Sequence, residues 1–96
     1  MTTVSTVAER RHVARVVGLG CIVCRNLGYG ASPAEYHHIR EGQGAAQRAG
    51  NFLGIPLCDK HHRLGGRGVA FHAGQKSFEA IYGSELDLLN QTIGEL

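Results

Sequence analysis

The spacing of cysteine and histidine constrains this chain more than any other feature. Cys58-Asp59-Lys60-His61-His62 contains a Cys-x2-His pair, and Gly20-Cys21-Ile22-Val23-Cys24 contains a Cys-x2-Cys pair. A two-residue gap lets one tight turn offer two ligands to one ion, and tetrahedral zinc accepts three thiolates and one imidazole. Cys21, Cys24, Cys58 and His61 therefore form a candidate structural zinc site that uses every cysteine of the chain. An odd cysteine count argues against a disulfide framework. Cys-x2-Cys alone also suits a redox pair. No βαβ pattern surrounds it, so metal is the preferred reading.

A staple is what a chain of this size and composition needs. It has 96 residues, of which 14 are glycine, about twice ordinary usage. A small, glycine-rich core stabilises itself poorly without a cross-link. The length suits one domain spanning residues 1–96.

The pattern along the chain predicts an α+β fold. Thr6-Val7-Ala8-Glu9 reads as a capping box opening a helix that stops at Gly18. Val7, Val13, Ala14, Val16 and Val17 mark one side of it, and Arg10, Arg11 and Arg15 the other. Residues 25–33 read as a loop. Residues 34–39 suit a short strand and residues 51–57 a second, with Pro56 at its end. Between them lies a basic, glycine-rich loop. A helical turn is expected over 58–63, broken by Gly65, Gly66 and Gly68. A helix over 75–82 should end at Gly83, with Phe78, Ile81 and Tyr82 on one face. A last helix should start at Ser84 and turn Leu86, Leu89 and Ile93 inward.

Charge is unevenly placed. The net charge is only +2, but all ten Lys and Arg lie between Arg10 and Lys76, against three acids in that span. The remaining five acids lie outside it. A basic middle suits a polyanion partner, although a mixed solvated surface has the same composition. No apolar stretch approaches the length of a membrane helix. Residues 1–15 lack the pattern of a signal peptide, so a cytoplasmic location is expected.

A second constellation comprises His37, His38, His62 and His72. Adjacent residues of a strand face opposite ways, so one of His37 and His38 can ligate while the other meets substrate. If His61 closes the zinc site, His62 turns elsewhere and can meet His37. No Gly-x-Ser-x-Gly elbow or Walker loop is present.

These motifs together resemble those of HNH, or ββα-metal, nucleases: Tyr36-His37-His38-Ile39, then Asn51, then His62. More narrowly, residues 20–83 resemble phage recombination-enhancement nucleases of the Ref type. The matching pieces are Cys-x2-Cys, Ser-Pro-Ala-Glu-x-His-His-Ile, Cys-x2-His-His-Arg and Phe-His-Ala-Gly-Gln-Lys-Ser-Phe-Glu. The resemblance implies a zinc-stapled ββα-metal (His-Me finger) core over 20–83. An N-terminal helix (1–19) and a C-terminal helix (84–96) would flank it.

It further implies metal-dependent DNA cleavage, which in the Ref type depends on RecA filaments. His38 is then the expected general base, with Asn51 holding the loop that aims it. His37 and His62 would share a catalytic divalent metal (Mg2+, Mn2+ or Zn2+), with His72 as candidate third ligand. Glu35 either orients a histidine or is an exposed strand carboxylate. Arg40, Arg48, Arg63 and Arg67 are candidate contacts to the DNA backbone. The alternative is a zinc-stabilised nucleic-acid-binding module without catalysis, which accounts for the cysteines but not for His37, His38 and His62.

Overall fold

The fold comes from a computed structural model that describes residues 5–42 and 50–96. Arg48 lies outside the described residues. Helix α1 spans Val7–Gly18 and α2 spans Ile22–Asn26. Strands β1 (Glu35–His38) and β2 (Gly54–Leu57) follow. After them come a π-helical turn (Lys60–Leu64), a 3-10 turn (Phe71–Ala73), α3 (Gln75–Tyr82) and α4 (Glu85–Gly94). This is the expected α+β architecture, with two strands followed by a helical turn.

Local signals set the helix ends. The Thr6 N–H donates to Glu9 Oε1 at 2.8 Å and the Glu9 N–H to Thr6 Oγ1 at 3.1 Å, so the capping box satisfies two of the donors that a helix start leaves open. Ser84 caps α4 by accepting the Asp87 N–H, and α3 ends at Gly83 with φ of 105°.

β1 and β2 pair antiparallel, with Glu35 opposite Leu57, His37 opposite Ile55 and His38 opposite Gly54. Both strands are shorter than expected, because residues 51–53 form a turn closed by the Leu53 N–H on the Gly50 carbonyl. Pro56 lies inside β2 opposite Tyr36 rather than at its end. The Ile39 N–H donates to the Leu53 carbonyl, and antiparallel alternation carried from there makes the Tyr36–Pro56 pair a non-hydrogen-bonded one. No ladder bond is therefore lost to the missing N–H.

All of β2 is buried. It lies between α1, α2 and α4. Ile22, Ile55, Leu57 and Phe78 are fully buried at the centre, with the three cysteines among them.

Three helix faces depart from expectation. α4 turns Glu85, Leu88, Leu89 and Thr92 inward, while Leu86 and Ile93 are exposed. In α3, Phe78 is buried but Ile81 is 61% exposed. On α1, Val16 alone is fully buried and Val7 is exposed. In each case the inward face is chosen by what the helix packs on, which its own periodicity does not specify.

Candidate metal centre and active site

The Cys-x2-Cys segment is bent into a knuckle. Gly20 (φ 80°) passes so close to Ala31 that an added Cβ would lie 2.8 Å from the Ala31 Cβ. This approach lets the Cys21 N–H reach the Ser32 carbonyl at 2.9 Å. Cys21 then caps α2, with the Cys24 N–H directed at Cys21 Sγ (3.5 Å). The second half comes from the end of β2 and the π-helical turn.

The four donor atoms converge. His61 Nδ1 is 3.7 Å from Cys21 Sγ, 3.6 Å from Cys24 Sγ and 3.2 Å from Cys58 Sγ, and Cys24 Sγ is 3.9 Å from Cys58 Sγ. A tetrahedral zinc with ordinary bond lengths separates its ligands by roughly 3.6–3.8 Å, so these spacings fit one ion. They are far too long for a disulfide. Burial pushes the Cys21 thiol up to about 12. Burial, then Lys60, lowers the pKa of His61, which favours the neutral imidazole that a metal requires. The His61 ring packs edge-on against Tyr82 at 5.2 Å.

One residue on, His62 points away from this cluster. The His62 N–H bonds the Cys58 carbonyl, and the Gly65 N–H reaches back to the Lys60 carbonyl in a π-type bond. Successive side chains of such a turn diverge around its axis, so neighbouring histidines serve different places. Single π turns recur at functional sites.

His37, His62 and His72 form the second group able to hold a metal ion, their ligand atoms all lying within 4.8 Å of one another. Each element contributes one: β1, the π-helical turn and the 3-10 turn. His62 donates Nδ1–H to Glu35 Oε1 (2.8 Å), so its lone pair lies on Nε2. That nitrogen is 3.0 Å from His72 Nε2, matching the roughly 3.0 Å between neighbouring imidazole ligands of an octahedral ion.

His37 is almost completely buried and donates Nε2–H to Glu85 Oε2 (2.5 Å), which leaves the lone pair on Nδ1. Burial, opposed by Glu85, lowers its pKa. Carboxylates bonded to the far nitrogen of a histidine orient it toward a metal, and here Glu35 and Glu85 stand in that position.

Glu35 is thus no idle strand carboxylate. Arg63 grips both its oxygens, at 3.0 and 2.7 Å, and Arg63 first, then His62, bring its pKa down to about 2. Glu85 went unnoticed in the sequence. It is fully buried and also accepts the backbone N–H groups of Arg40 and Glu41 at 2.8–3.0 Å. Burial works to raise its pKa, but the His37 bond and the two amides outweigh it. Helical spacing groups Glu85 with Leu88, Leu89 and Thr92, but an acid at a helix start gives no sign of burial by itself.

His38 faces the other way, with Tyr36, toward α1. Its Nε2 lies 2.9 Å from Asn51 Oδ1. Tyr36 donates its hydroxyl to the Asn51 carbonyl at 2.8 Å and packs edge-on against the His38 ring. This needs a bare Gly54: a Cβ there would lie 2.3 Å from the Tyr36 ring.

His38, the last residue of β1, also borders the cleft on the His37 side. Tyr36, His37, His38, Arg40, His62 and His72 line one cleft of about 110 Å³. Of the arginines, Arg40 lines this cleft, Arg63 is committed to Glu35, and Arg67 bonds Ser77 (3.4 Å) at the start of α3. Among the described residues, no helix is long and apolar enough to cross a membrane.

Fold and donor sets define a small α+β protein with a buried Cys3His cluster that could hold zinc and, beside it, a histidine-lined cleft. A family model described as "recombination enhancement, RecA-dependent nuclease" matches residues 5–96. The chain belongs to that family, whose members are nucleases that depend on RecA. No curated protein matches the chain in sequence.

Proposed function

We propose that residues 1–96 form one HNH nuclease domain that hydrolyses DNA phosphodiester bonds with a divalent metal and a histidine base, in phage-type recombination on RecA-coated DNA. The observation that carries this reading is the shared cleft: His38 lies beside the three histidines able to hold a metal, and each side of the cleft has its own orienting groups.

His37, His62 and His72 would hold the catalytic ion, and Cys21, Cys24, Cys58 and His61 a structural zinc. A divalent cation in the cleft supplies charge neutralisation at the phosphate oxygens. Asn51 Oδ1 holds the Nε2–H tautomer of His38, so the lone pair lies on Nδ1. His38 takes the proton from water as its oxygen attacks phosphorus and the bond to the 3′ oxygen breaks. Arg40 at the cleft edge, together with Arg48 and Arg67, would contact the DNA backbone. Arg63 acts mainly through Glu35.

The test is nicking of plasmid and RecA-coated DNA with Mg2+ or Mn2+. Wild type should cut, and His38→Ala should lose about 10²–10⁴-fold in rate while zinc content and folding persist. Full activity in His38→Ala rules out the base assignment. No cutting by wild type under any of these conditions favours a binding module instead.

A further inference from the structure

Glu9 has two carboxylate oxygens, and each has a separate task. Oε1 accepts the Thr6 N–H and closes the capping box of α1. Oε2 lies 3.1 Å from Asn51 Nδ2, 42 residues away. Among the described residues, the other acceptor near Nδ2 is Ser5 Oγ, at the long distance of 3.5 Å. An ionised carboxylate only accepts, so whatever faces it must donate. Glu9 therefore determines which end of the Asn51 amide faces α1: the NH2 group does, and Oδ1 is turned to His38 Nε2 (2.9 Å). Oδ1 in turn only accepts, so His38 carries its proton on Nε2.

We propose that Glu9, on the N-terminal helix, is a positioning residue that sets the tautomer of His38 through Asn51. This deepens the nuclease reading and rests on it for its catalytic consequence. The structural half, a histidine tautomer set by a helix far from it in sequence, stands by itself. Without Glu9 an asparagine amide is free to turn over. Its NH2 group would then face His38, draw the proton to Nδ1 and bury the lone pair against Asn51. A base with its lone pair on the wrong nitrogen no longer meets its water.

Glutamine separates this role from capping. A capping box accepts Gln as well as Glu, so in Glu9→Gln the single carbonyl can keep the Thr6 N–H. The remaining NH2 group then confronts the NH2 group of Asn51, and turning the Asn51 amide relieves the clash. Glu9→Gln paired with Asn51→Asp restores the original polarity. The NH2 group of the introduced glutamine donates to one oxygen of the introduced aspartate, and His38 Nε2–H donates to the other. The net charge is unchanged.

The experiment uses the full zinc-loaded chain with 15N-labelled histidine. The His38 ring nitrogens are assigned by comparison with His38→Gln, and thermal unfolding and DNA nicking are followed in parallel. Wild type should show the Nε2–H form. Glu9→Gln should melt at the wild-type temperature, move His38 to the Nδ1–H form and lose about 10²-fold in kcat with little change in KM. The double variant should recover the Nε2–H form and most of the rate.

An unchanged His38 tautomer in Glu9→Gln overturns the proposal, whatever the activity. So does a rate loss that tracks lowered melting and is not rescued by Asn51→Asp. If wild type and variants alike fail to cut while the tautomer moves as expected, the relay holds and the nuclease reading fails.

Discussion

Replacing Glu85 by alanine should be the most damaging single change to this protein outside the cysteines. Glu85 is fully buried and satisfies three donors: His37 Nε2–H at 2.5 Å and the amides of Arg40 and Glu41. The two amides belong to partly or fully exposed residues and can turn to water. His37 is 1% exposed and cannot. Removing the carboxylate strands the N–H of a buried neutral imidazole, which costs about 1–3 kcal/mol, and the cavity left by a fully buried side chain adds to it.

Against the roughly 5–15 kcal/mol that holds a domain together, Glu85→Ala should survive only when zinc-loaded. Its urea midpoint should fall by about 1 M or more, with an unchanged slope. Glu85→Gln is the informative partner. Its carbonyl can keep an amide, so much of the stability should return, but its NH2 group faces His37 Nε2 and moves the ring proton to Nδ1. Affinity for a divalent metal at the histidine cleft should then drop by roughly 10–100-fold while the zinc content stays at wild type. Isothermal titration with Mn2+ and urea unfolding measure the two effects. A Glu85→Ala midpoint within about 0.3 M of wild type would refute the buried-pair argument. Unaltered Mn2+ binding in Glu85→Gln would refute the orientation of His37.

Further expectations concern the Cys3His cluster and the sheet. Cys24→Ser should lose tight zinc and unfold at room temperature, as read by circular dichroism and metal analysis; a folded variant with full zinc would remove Cys24 from the site. Zinc loading of the metal-free chain should release protons, because burial keeps the Cys21 thiol protonated up to about 12. Apparent affinity should therefore weaken by about tenfold per pH unit for each thiol proton displaced on acidification, and a pH-independent affinity would contradict this. Gly54→Ala should cost about 1–3 kcal/mol through overpacking against the Tyr36 ring. It should also loosen Asn51, so nicking should fall more than stability alone explains; wild-type melting and rate together would show that Tyr36 does not depend on the bare glycine.

Sequence alone determined those features whose geometry is local. The Thr6–Glu9 box, the Cys21–Cys24 and Cys58–His61 gaps and the Gly83 stop each operate within a turn or two, so spacing was enough to read them. The divergence of His61 from His62 was legible too, because neighbours on a helical turn cannot face one ion from the same side. What only the tertiary structure decided is the partner of each polar group across long stretches of chain. Glu85 meets His37 over 48 residues, Glu35 meets His62 over 27 and Glu9 meets Asn51 over 42. Helical periodicity could not announce Glu85, since an acid at a helix start is ordinarily solvated and favours the helix dipole. Its burial follows from α4 packing on β2, which brings that first turn under His37. Hydrogen bonds of fully buried groups must be completed somewhere, but where is a property of packing, which spacing along one chain does not encode.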